Sequence, residues 1–172
     1  ADALVGSGGH ATIDDWALEW VDQSSEIFGS KVGKFFQSVL HTAAKLRMHS
    51  QPRLAALGNM PSSSSAMCIS PVGIANACNP RAAAAQAYGL AGLIHVHDVS
   101  FCQDGAAAMA AAVAEAFKPE TSRDAVVEAA LGAMLPWSGE ELRSLVAEIM
   151  EVALANVDYK GFRAEVYSRQ TS

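Results

Sequence analysis

The chain has 172 residues, 51% of them apolar, which excludes disorder and allows one ordinary domain. Twelve Lys and Arg against eighteen Asp and Glu leave a net charge of −6, with the basic residues scattered from Lys31 to Arg169, so a clustered face for a nucleic-acid polymer is excluded. Three cysteines, Cys68, Cys78 and Cys102, form no CxxC and cannot all pair; with no basic-then-apolar leader visible, they read as reduced thiols of a cytoplasmic protein.

Alanine sets the fold class. Its 33 residues favour helices and disfavour strands, so an all-α fold is expected, with helices packed closely enough to want small side chains. In chain order, Ala1–Val5 reads as a helix end stopped by Gly6, Gly8 and Gly9. Thr12 with Asp15 predicts a capped helix whose apolar face is Ile13, Trp16, Ala17, Trp20 and Val21. Val32, Phe35, Phe36, Val39, Leu40 and Ala43 predict a stronger amphipathic helix. A loop runs from Gln51 to about Ser65. Ser70-Pro71 and Asn79-Pro80 each read as a cap followed by proline in the first turn, where proline loses no hydrogen bond. Asp98 or Ser100 opens an alanine-rich helix that stops at Lys118-Pro119. Thr121 with Asp124, then Ser138 with Glu141, predict two more capped starts, and a short helix near Asp158–Ser168 closes the chain.

The charge map adds an expectation about burial. Between Leu54 and Ala114 the only charged residues are Arg81, Asp98 and Asp104, so this stretch is expected at the buried centre of a bundle. It does not read as a membrane span. Pro61, four serines, Pro71, Gly73 and Asn79 interrupt it, and Ala82–Val96 is too short.

Three places could carry chemistry. The run Ser62-Ser63-Ser64-Ser65 leads into buried chain and could offer hydroxyl and N–H donors to a phosphate or ribose. By spacing alone, a connector whose hydroxyls satisfy nearby backbone groups is the favoured reading. In His95-Val96-His97 a strand would set both imidazoles on one face, but no other ligands accompany them. One buried, hydrogen-bonded histidine and one exposed histidine are therefore expected. Asp14-Asp15 could hold a divalent cation, yet the first turn of a capped helix already accounts for them.

The segment from Gly58 to Phe117, with SSSSAMCISPVGIANACNPRAAAAQAYGLAGLIHVHD and QDGAAAMAAAVAEAF, resembles the ADP-ribosylglycohydrolase family. Ala66, Met67, Pro71, Gly73, Pro80, Ala83, Ala84 and His95 match its pattern. The resemblance implies a compact orthogonal multi-helix bundle and magnesium-dependent cleavage of a glycosidic bond at ADP-ribose or a related nucleoside. It also implies a substrate site at Ser62, Ser63, Ser64, Ser65 and His95. The family's metals are held by an Asp-Asp-Thr-type motif and an Asp-x-Asp motif; no Asp-x-Asp occurs here, and Ile13-Asp14-Asp15-Trp16 lacks the threonines. Cys68 stands where the family usually has arginine, and Ser63 near its asparagine. Residues 1–172 are accordingly expected to form a single helical domain, the middle portion of a larger domain of this kind, with no metal ligands of its own. The alternative expectation is a non-catalytic helical binding or assembly protein that lost the metals.

Overall fold

The alanine-rich segment becomes a buried helix against which several neighbouring helices pack. A computed structural model describes residues 1–30 and 32–170, with no strand among them. Its helices are α1 (Asp2–Gly6), α2 (Ile13–Asp22), α3 (Ser24–Phe28), α4 (Gln37–Arg47), α5 (Ser64–Cys68) and α6 (Ser70–Ala75). They continue with α7 (Pro80–Ala91), α8 (Phe101–Ala116), α9 (Arg123–Ala133), α10 (Glu140–Ala155) and α11 (Tyr159–Gln170). Short 3-10 turns occupy Val32–Lys34, Pro52–Leu54 and His97–Val99. No described helix is long and apolar enough to cross a membrane.

Helix α8 buries Ala106, Ala107, Ala108, Ala110, Ala111 and Ala114, so alanine lines most of its circumference. Helix α7 packs along it through Ala83, Ala87, Leu90 and Ala91, while α5, α6 and α9 cover other sides. Small residues permit this spacing because interiors are close-packed and a single methyl group is felt. At Gly73 of α6 a Cβ would stand 2.7 Å from both the Ala110 carbonyl oxygen and Val113 Cβ, so the α6 backbone lies directly on α8.

A second apolar cluster joins Ala17, Phe28, Val39, Ala43, Leu46, Ala55, Leu93 and Ile94, and Trp16 packs against both clusters. Trp20, Phe28 and Phe35 form its aromatic rim, with centroids 5.4 and 5.3 Å apart. That rim explains one departure from periodicity. The expected helix from Val32 does not run through Phe35-Phe36; Phe36 is extended (φ −65°, ψ 152°) and α4 starts only at Gln37. Phe35 is drawn into the aromatic cluster, and tertiary packing overrides the local pattern.

The caps divide in the same way. Thr12 forms the expected capping box with Asp15, and Asn79 accepts from the Ala82 N–H at 3.2 Å. Three expected caps differ. Ser70 is the first residue of α6, with Ile69 before it and no side-chain cap. Ser122, not Thr121, caps α9, accepting from the Ala125 N–H at 3.1 Å. Gly139, not Ser138, precedes α10. A Cβ at Gly139 would lie 2.7 Å from Met134 Cβ and 3.2 Å from Asp104 Cγ, so close packing sets that start. Asp104 is fully buried on α8 and accepts from the Leu135 N–H at 2.8 Å, pinning the α9–α10 elbow. All three cysteines are unpaired thiols.

Candidate functional site

The serine run and His95 come together. His95 follows α7 in a turn and has no exposed surface. Its Nε2 is 3.0 Å from Ser62 Oγ and its Nδ1 is 3.0 Å from Ser65 Oγ. Burial pushes its pKa down to about 4, so the imidazole is neutral and carries one ring proton.

The hydrogen directions follow by elimination. A carbonyl only accepts, so Ser65 gives its proton to the Cys102 oxygen, 3.1 Å away. Ser65 must then accept from His95 Nδ1–H. The remaining lone pair on Nε2 accepts the Ser62 hydroxyl proton. Ser62 Oγ in turn accepts from Ser64 Oγ at 2.7 Å and Ser38 Oγ at 2.8 Å. This relay runs from α4 through the loop to α8, and each member is oriented by the next.

Beneath it lies a second polar cluster that the sequence reading missed. Asn59 Nδ2 lies within donor distance of Ser38 O (3.1 Å), Thr42 Oγ1 (2.8 Å) and Ile94 O (2.8 Å). Lys45 Nζ donates to the carbonyls of Ala55 at 3.0 Å and Leu57 at 2.7 Å. These bonds fasten the connector from 55 to 62 onto α4. A signal existed: Ser38, Thr42 and Lys45 are spaced i, i+4, i+7, a polar stripe running beside the apolar Val39, Ala43 and Leu46 of the same helix.

The predicted residues therefore separate by exposure. Ser64, Ser65 and His95 are buried, Ser62 is partly buried, and Ser63 is exposed with only a 3.4 Å contact from its hydroxyl to Met67 Sδ. Both His95 ring nitrogens are engaged by serines, which leaves no ring N–H free for a ligand in this conformation. His97 is exposed, 3.8 Å from the Asp98 carboxylate, so one buried and one exposed histidine occur as expected. Cys68 is also exposed, its thiol donating to Ser65 O at 3.4 Å.

Asp15 is committed to its cap. Its Oδ2 accepts from the Thr12 N–H at 2.8 Å and from the Thr12 hydroxyl at 2.7 Å, and these bonds hold its pKa below the ordinary carboxylate value. Among the described residues no three His, Cys, Asp or Glu side chains come together as a metal site. The residues present do not fit the magnesium that the resemblance implies.

Taken together, an alanine-cored helical fold and a small-residue loop anchored on a buried histidine define the class of protein. A family model described as ADP-ribosylglycohydrolase matches residues 1–170, and the chain belongs to the ADP-ribosylglycohydrolase family. Membership places it with ADP-ribosylglycohydrolase-type hydrolases, whose substrates are ADP-ribosylated. No curated protein and no solved structure matches the chain.

Proposed function

We propose that the chain holds ADP-ribose, or a related nucleoside, at the rim of the serine loop, for hydrolysis of the glycosidic bond to its leaving group. The observation that carries this reading is the exposed Ser63 hydroxyl on a loop whose neighbours are fully hydrogen-bonded. A donor held in place this way binds a sugar or phosphate without first being ordered. Ser62, Ser64, Ser65 and His95 serve this site by fixing the loop, His95 through Ser62. Divalent-metal assistance is the family's expectation, and no described residue cluster would supply it.

A specific observation also favours a second reading, a non-catalytic binding or assembly protein: the relay hydroxyls satisfy one another and the backbone. Calorimetry and thermal shift with ADP-ribose, with and without magnesium, separate the two. On the first reading ADP-ribose raises Tm, and Ser63→Ala weakens binding by about 1.5–3 kcal/mol if the contact is to phosphate, leaving the ligand-free Tm unchanged. If ADP-ribose, ADP and adenosine all leave Tm unmoved, the ligand site is lost and the non-catalytic reading stands.

A further inference from the structure

Arg81 is the only lysine or arginine between Arg53 and Lys118. It is the second residue of α7, in the turn where the helix dipole disfavours a cation. Its side chain is exposed, and no ion pair or hydrogen bond engages it among the described residues. Local stability gives no reason for a guanidinium there.

The surroundings suggest one. Arg81 lies at one end of a cleft of about 520 Å3 between α7 and α9, floored by α8. Along α7 the wall continues through Ala84 to Tyr88, which is half-buried and stands two turns from Arg81. The facing wall is Ala129, Gly132 and Ala133 of α9, and a Cβ at Gly132 would meet nothing within 4 Å. No acidic side chain lines the cleft, so the positive charge at its end is uncompensated. The volume is that of a small-molecule site, and a mostly apolar lining with few polar groups is the usual character of one.

We propose that this cleft binds a small organic oxyanion with a flat apolar body. The guanidinium fork matches the paired oxygens of a carboxylate or phosphate, and its planar donors favour two parallel bonds. The body of the ligand lies along the alanine and glycine walls, with its far edge against the Tyr88 ring. The cleft shares no residue with the serine loop, so this site stands independently of the proposed function.

The test is calorimetric titration of the whole chain with benzoate and with phenyl phosphate, which separate the two oxyanion sources, and with benzyl alcohol as the uncharged control. Saturable binding is expected for at least one oxyanion and not for the alcohol. Arg81→Gln should weaken it about tenfold or more, the loss of a charge-assisted contact. Ala129→Leu, which fills the cleft, should abolish it. Because residue 81 is exposed in a first helical turn, Arg81→Gln should fold with a Tm no lower than the parent, and that arm decides the matter should Ala129→Leu misfold. Absence of saturable oxyanion binding overturns the proposal. So does equal affinity in Arg81→Gln, or benzyl alcohol binding as well as benzoate.

Discussion

Acidification should strain the serine–histidine relay before it disturbs most of the chain. His95 has an ordinary pKa of 6.5 when unfolded and about 4 when buried in the relay. Below pH 6.5 the unfolded chain takes up a proton at this residue that the folded chain refuses until about pH 4. Stability is therefore fully present above pH 6.5 and falls as the pH drops towards 4. At 1.36 kcal/mol per pH unit, the gap corresponds to about 3 kcal/mol in all, with about 2 kcal/mol of it gone by pH 5. Protonation also has a geometric consequence. The Nε2 lone pair that accepts from Ser62 disappears, so Ser62 must accept from Nε2–H and turn its own proton toward Ser38 or Ser64, and the serine it faces loses its acceptor. Urea unfolding of wild type and His95→Gln between pH 4.5 and 8 measures the effect, because glutamine keeps polar contacts but cannot titrate. The variant should be less stable at pH 8, and between pH 8 and 4.5 its stability should fall by about 2.5 kcal/mol less than that of wild type. Parallel pH profiles would refute the argument, as would an NMR titration in which His95 protonates near pH 6.5.

Two glycines in helices should respond oppositely to alanine. Gly73→Ala places a methyl group 2.7 Å from the Ala110 carbonyl oxygen and should cost about 1–3 kcal/mol of overpacking, read as a lower denaturation midpoint. Gly89→Ala, where a Cβ meets nothing within 4 Å, should gain about 0.5–1 kcal/mol from reduced backbone entropy, and equal effects at the two sites would sink the packing account. His97 adopts φ 63°, a left-handed backbone that β-branched side chains resist, so His97→Val should lower stability by about 1–2 kcal/mol with little change in helix content by circular dichroism.

What the sequence alone determined is what depends on neighbours within about one helical turn, together with overall composition. The Thr12–Asp15 box, the Asn79-Pro80 start and the stop before Lys118-Pro119 were legible because a cap is a bond between residues three apart. The charge-poor stretch from Leu54 to Ala114 was legible only in part. Unpaired charges are costly in an interior, and the inner faces of α7 and α8 with Ala91–His95 are buried, but Leu57, Met60, Met67, Ile74 and Phe101 lie exposed, so lack of charge did not by itself mark burial. The match of Pro71, Gly73, Pro80 and His95 to a family pattern led to the membership that the family model over residues 1–170 establishes. Tertiary structure decided the rest. Ser38 meets Ser62 across 24 positions, Ser62 meets His95 across 33, and Ser65 meets Cys102 across 37. No local pattern records which hydroxyl gives its proton to which acceptor over such separations. The same holds for the helix starts at Gln37 and Glu140, which were set by an aromatic cluster and by the contact of Gly139 with Asp104 and Met134. Arg81 was visible as a lone charge, but only the packing of α7 against α9 set it at the end of a cleft. Capping and periodicity act within one turn of chain, whereas the wall of a site and the direction of a buried hydrogen bond belong to groups that only folding brings together.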